Sequence, residues 1–324
     1  MASWPFFHKL IVIAYSPFES FHTKDTVIEL FERREKPTRN RFSINRKRLK
    51  VNEYSYIGFK NDDNGMFDIN TPRIKTIESI IKISTYDKEN DWWRDKSRLD
   101  ILMDTLLTCI DFDSIMIFDR CNPGKSSYIV DNTLFKSISK IDAINCDIKF
   151  MKDDKELPLS SGQRIYSYMI PAIVSEIEDE SILLIDEPEL YLHPNLEIEL
   201  LCMLKHLLGE TNSIAIIATH SAVISREIKS KSIHILHRSG MSVSVLKPGI
   251  ETYGESLESI ISEIFDDKLV SKGYESDLDS LIDKYADIDT LITEKHNEVG
   301  DDALIYLLSK SSNNHDITIE TNPE

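Results

Sequence analysis

The sequence predicts an α/β fold built around parallel strands. Three observations carry this. Strand-like and helix-like patterns alternate from residue 160 to residue 230, the order that places helices between parallel neighbours. Residues 9–15 (KLIVIAY) are β-branched and apolar, as a buried strand is. A second apolar run, Ile182–Ile185, ends abruptly in Asp186-Glu187, and strand ends in open α/β sheets are where ligands sit.

In chain order, Pro17 stops the first strand, and 24–34 reads as a short helix before Pro37. Residues 51–59 (VNEYSYIGF) read as a strand and 61–65 (NDDNG) as a turn. Helical patterns cover 73–86 and 92–110, the second with Leu99, Leu102, Met103, Leu106 and Leu107 at three- and four-residue spacing. A short strand at 114–118 precedes an irregular stretch to about 158. Then follow a helix at 161–178, a strand at 181–185, a helix at 195–208, a strand at 213–218 and a short helix at 221–227. Strands at 232–237 and 242–246 pair around Ser239-Gly240. One mixed sheet is expected to hold 9–15, 182–186, 214–218 and 232–237. Residues 256–265, 275–295 and 300–310 are helical and acidic, and the last dozen residues read as frayed.

The 324 residues suffice for one large domain or two ordinary ones. Hydrophobic content of 41% and charged content of 29% are those of a soluble globular protein. Cys109, Cys121, Cys146 and Cys202 show no C-x-x-C spacing, which argues against metal ribbons and disulfide frameworks and points to a reducing, cytoplasmic setting. No apolar run is long enough to span a membrane. A net charge of −17 argues against a protein that coats nucleic acid over its whole surface. Residues 33–50, however, hold nine basic side chains against Glu35 alone, a local +8 that leaves −25 elsewhere. Such a stretch can neutralise phosphates; it is equally a solvated loop beside an acidic surface.

Three motifs carry chemistry. Asp186 at a strand end can hold the Mg²⁺ of a nucleotide, and Glu187 beside it can polarise an attacking water; two ordinary surface acids are the bland reading. Leu159-Ser160-Ser161-Gly162-Gln163 opens a helix, whose first N–H groups and partial positive charge suit phosphate. Gly162 there permits close backbone approach, although serine is expected at any N-cap. Ala218-Thr219-His220-Ser221 ends the next strand, where a histidine can reach a γ-phosphate; taken alone, a structural histidine is the commoner case.

Their order is more specific than any one of them. Signature, helix, strand-Asp-Glu, helix, strand-His resembles the head of ABC-type ATPases, a P-loop NTPase-like α/β fold. Asp186–Leu196 (DEPELYLHPNL) is similar to the version in OLD-like, RecF-like and Septu-type ATPases, many of them antiphage components. Glu251–Phe265 and Tyr15–Phe21 (YSPFESF) resemble segments of the same proteins, so the likeness runs from near residue 9 to near 266. It implies ATP and Mg²⁺ as cofactors: Asp186 for the metal, Glu187 for the water and His220 for the γ-phosphate. Ser160, Ser161, Gly162 and Gln163 would contact nucleotide held by an opposite subunit. It also implies a core lobe from 1–70 and 181–250, a helical lobe at 71–180 ending in the signature, and a C-terminal helical extension at 251–324.

One part of the pattern has no counterpart. A phosphate loop reads G-x-x-x-x-G-K-[ST] between a strand and a helix. The Gly124-Lys125-Ser126 triplet follows a strand, but Asp119 stands where the first glycine belongs, and 127–133 does not read as a helix. It also lies only 36 residues before Gly162 (162 − 126), so it reads as an exposed turn. The sequence therefore looks like an ATPase head lacking its first strand and P-loop. The expected function is the ATPase subunit of an antiphage defence system, a homodimer or higher homo-oligomer that senses invasion and controls an HNH-type nuclease in trans. Nucleic acid would be met through 33–50. A degenerate, non-hydrolysing binding module and a RecF-like DNA-repair ATPase are the alternatives.

Overall fold

The computed structural model describes residues 7–34, 54–62, 64–90, 96–121, 127–265, 272–285 and 288–314. The basic stretch 33–50 falls outside them, save the last two residues of the first helix, and so does Gly124-Lys125-Ser126. The chain divides into two compact units, 1–234 with 251–257, and 235–250 with 258–324.

In the first unit, β1 (Lys9–Ala14), α1 (Lys24–Arg34) and β2 (Tyr54–Gly58) come first. Two helices follow, α2 (Thr71–Asn90) and α3 (Arg98–Leu107). Next are β3 (Ser114–Asp119), β4 (Ser127–Ile129), β5 (Cys146–Lys152) and β6 (Lys155–Glu156). The series ends with α4 (Ser161–Glu176), β7 (Ser181–Asp186), α5 (Pro194–Glu210), β8 (Ile214–Ala218) and α6 (Ala222–Arg226). The fold is α/β, as expected, on a four-stranded sheet of order β2-β1-β7-β8 in which every pair is parallel.

Side chains alternate across a strand, so Ile11, Ile13, Leu183 and Ile185 share one face. These four are buried in one hydrophobic core with Ile77, Ile80, Ile83, Ile170, Ile173, Leu200 and Leu204. That face is therefore the one covered by α2, α4 and α5. Polar groups fasten the layer at the opposite strand ends. Lys9 Nζ, its side chain only 4% exposed, meets Glu176 at 2.8 Å and Glu178 at 2.9 Å. Lys82 Nζ and Ser55 Oγ also donate to Glu176, at 2.8 and 2.6 Å. Burial pushes the Glu176 carboxyl up, but the two lysines outweigh it and hold it at about 2. Arg98 donates to the carbonyls of Val174, Ser175 and Ile177 at 3.2, 3.1 and 2.7 Å, closing the C-terminus of α4 with a cation, which the helix dipole favours.

Two expectations need correction. The stretch 119–158 is not irregular. It completes an antiparallel sheet of order β4-β3-β5-β6, so the segment 71–180 contains a sheet as well as helices. Cys146–Lys152 alternates lysine with half-buried apolar residues and is too polar to stand out as a strand. The second correction concerns 232–237. Among the described residues, β9 (Ile235–Ser239) pairs only with β10 (Ser242–Leu246), as an antiparallel ribbon in the second unit. The parallel sheet thus ends at β8.

The second unit also holds α7 (Leu257–Ile264), most of which belongs to it, α8 (Gly273–Ile282), α9 (Ile288–Lys295) and α10 (Asp301–Asn314). Leu278, Leu291 and Leu307 bury against one another there. No helix among the described residues is long and apolar enough to cross a membrane.

Candidate functional site

The register of the parallel sheet sets Ala14, Asp186 and Ala218 side by side at the carboxyl ends of β1, β7 and β8. Asp186 therefore opens where ligands of such sheets bind. Burial, then the nearby carboxylates of Glu19 and Glu189, push its pKa up, while His220 pulls it down. A carboxylate crowded by other carboxylates is a site whose negative charge is undercompensated, and a divalent cation suits it. No group of three or more His, Cys, Asp and Glu among the described residues could hold a metal ion unaided. Mg²⁺ normally takes only one or two protein carboxylates and completes its shell with water and phosphate oxygens.

Glu187 follows with φ 45° and ψ 55°, in the left-handed region that side chains rarely adopt. Its N–H donates to the Ala218 carbonyl at 2.9 Å, tying the ends of β7 and β8 together. Pro188 then starts a 3₁₀ turn, Pro188–Tyr191. Backbone strain of this kind clusters at functional sites. Here it turns the Glu187 side chain toward the next strand, with Oε1 3.8 Å from His220 Nε2. The His220 side chain is 81% exposed, open to a ligand. Its backbone N–H donates to Glu189 Oε1 at 2.6 Å. Asp186, Glu187 and His220 are thus brought together as the sequence led one to expect.

The signature residues are placed differently from a simple phosphate cradle. Ser160 is the N-cap of α4, and Ser160 and Gln163 form a reciprocal capping box. Gln163 N–H donates to Ser160 Oγ at 3.2 Å, and Ser160 N–H to Gln163 Oε1 at 3.1 Å. Gln163 Nε2 also donates to the Cys109 carbonyl at 3.0 Å. Ser160 and Ser161 are exposed and can still reach a ligand. Gly162 is at the helix start but buried, and a Cβ there would stand 2.8 Å from the Tyr191 carbonyl and 3.4 Å from Leu196 Cδ1. Its lack of a side chain lets the signature helix pack on the turn after Glu187.

Three carboxylates of the neighbourhood were not singled out by sequence. The Glu19 side chain is 1% exposed and pairs with Lys60 at 3.0 Å, while Tyr56 Oη donates to it at 2.8 Å. Glu189 holds the His220 amide and has a buried second oxygen, Oε2, without a hydrogen-bond partner. Glu197 on α5 accepts from Ser221 Oγ, which itself caps α6 by accepting from Val223 and Ile224 N–H. The Tyr15–Phe21 resemblance brushed the first, but contacts spanning 24 to 41 residues leave no local pattern.

Comparison with known proteins agrees with this geometry. The family described as "AAA domain, putative AbiEii toxin, Type IV TA system" matches residues 12–226. "Protein ea59" of Escherichia phage lambda is 27% identical over 253 residues, which cover 78% of this chain and 46% of that protein. The chain thus spans less than half the length of this relative.

Proposed function

This chain belongs to the AAA-domain ATPase family that matches its residues 12–226, and from that premise we propose that it is the nucleotide-sensing subunit of an antiphage defence system of OLD-, RecF- or Septu-like kinship. The observation that carries the reading is the convergence of Asp186, Glu187 and His220 on adjoining strand ends. Mg²⁺–ATP bound there supplies the phosphoanhydride and the cation that offsets its charge. Asp186 holds the cation. Glu187 orients the water and takes its proton, and His220 donates to the terminal phosphate. Ser160 and Ser161, exposed at the start of α4, face nucleotide held by a second copy. Two such copies, closing on ATP, gate a nuclease carried by another chain. The toxin in the family's description and the phage origin of the relative support a setting where host and phage meet.

A second reading is favoured by one observation. β1 runs into the Tyr15–Phe21 segment, fastened by Glu19, and among the described residues no glycine-rich loop follows any strand of the parallel sheet. On that reading the chain is a degenerate head that docks a partner without turnover.

ATP turnover by the purified chain in Mg²⁺, beside Lys125→Ala and Glu187→Gln, separates the possibilities. Turnover near background is expected, because the β- and γ-phosphates lack their lysine and backbone cradle. Robust turnover lost in both variants would make Gly124–Ser126 the phosphate loop. Robust turnover that survives Glu187→Gln would remove Glu187 from the chemistry.

A further inference from the structure

The residues of β8, IAIIA, are apolar without interruption, yet Ile214 and Ile216 are 54% and 60% exposed. Parallel strands are normally covered on both faces, and β8 is covered on one. Its neighbours on the same face, Ile182 and Leu184 of β7, are likewise only partly buried. The outer edge of β8 has no strand beside it among the described residues. This is an edge and a bare face in one place, and it ends at His220.

We propose that the outer edge of β8 and the bare face of Ile182, Leu184, Ile214 and Ile216 are the seat of one element: a parallel strand, a glycine-rich phosphate loop and an apolar-faced helix, joined ahead of β1. Handedness selects this occupant. Connections between parallel strands are right-handed, so those stepping one way along the sheet cross one face and those stepping back cross the other. The steps from β2 to β7 and from β7 to β8 run one way, and α2, α4 and α5 lie on the covered face. The step from β1 to β2 runs back. Tyr56, on the opposite face, accordingly meets Glu19 of the connection that leads into α1. A strand outside β8 that leads to β1 also steps back, so its helix must cross the bare face over β8 and β7. Its loop then falls at the strand ends beside Asp186, Glu187 and His220. Charge fits as well: the lysine of a phosphate loop would enter a rim of Asp186, Glu187 and Glu189. The phosphate-binding part of this inference rests on the ATPase reading; the docking surface does not.

Two measurements test it. In the chain as it stands, Ile214→Asp with Ile216→Asp should leave the thermal midpoint unchanged. A fall of more than about 5 °C would mean that the chain's own residues already cover this face, and would overturn the proposal. A designed strand, G-x-x-x-x-G-K-S loop and amphipathic helix of roughly 30 residues is then fused ahead of Lys9 in the full chain. Hydrogen exchange of the β8 amides should slow at least about tenfold, and the double aspartate variant should abolish the protection. No slowing, or slowing that persists in the variant, overturns the docking surface. Protection of β8 without binding of Mg²⁺–ATP upholds the surface and overturns the nucleotide reading.

Discussion

The carboxylate of Glu189 takes the backbone amide of His220 at 2.6 Å, so the turn after β7 fixes the loop after β8. Glu189→Ala should leave that amide without its acceptor, at a cost of about 1–2 kcal/mol, and should speed its hydrogen exchange. Glu189→Gln keeps an oxygen in the same position and should restore most of the protection. Equal exchange in all three proteins would show that the bond does not hold the loop in solution.

In the fused protein, Asp186 and Glu187 should fail in different ways. Adjacent residues at a strand end point apart, and the left-handed backbone at Glu187 adds to the divergence. Asp186→Asn should weaken Mg²⁺-dependent nucleotide binding. Glu187→Gln should bind ATP and dimerise while turning over about 10²–10⁴-fold more slowly. Titration with a fluorescent ATP analogue, with sedimentation for the dimer, separates the two; identical defects would merge their roles.

Gly162→Ala sets two effects against each other. Alanine favours a helix over glycine by about 0.5–1 kcal/mol. The new methyl, however, would stand 2.8 Å from the Tyr191 carbonyl, a backbone atom that moves only with its turn, and such overpacking costs about 1–3 kcal/mol. Net destabilisation by denaturant melt is expected. A stabilised variant would mean that the signature helix does not sit on the 188–191 turn.

The Glu176 carboxyl lies below its ordinary 4.5, at about 2. Its folded pKa is depressed, so its contribution is complete above 4.5 and is lost as pH falls toward 2. That contribution is on the order of 3 kcal/mol at most. Lys9→Met removes one of the two lysines and should raise the pH of acid unfolding, besides destabilising the protein at neutral pH by about 2–4 kcal/mol. An unchanged acid midpoint would show that Lys82 and Ser55 suffice.

Much of the site was legible because its residues close strands whose apolar runs are unmistakable. Ile182–Ile185 must be buried, and Asp186-Glu187 must then emerge at its end. The capping of α4 was legible too, since Ser160 and Gln163 stand three apart. What escaped was decided at a distance. The strand Cys146–Lys152 is half exposed and carries Lys149 and Lys152 among apolar residues, so only its pairing with β3 makes it a strand. Residues 232–237 look as sheet-like as 214–218, and composition does not say which partner a strand takes. The packing of Gly162 on Tyr191 joins residues 29 apart, and nothing in a glycine announces what it touches.

The centre of the parallel sheet is assembled from the two ends of a long excursion. β1 pairs with β7, and Lys9 meets Glu176 across 167 residues of chain. During synthesis, at about 5–20 residues per second, the apolar strand Lys9–Ala14 therefore leaves the ribosome roughly ten to thirty seconds before the strand it must lie against. Contacts so far apart in sequence make folding slow. For that interval the nascent chain carries an unpaired, aggregation-prone strand, and its yield in the cell rests on chaperones that shield Ile11, Val12 and Ile13 until Ile182–Ile185 arrives.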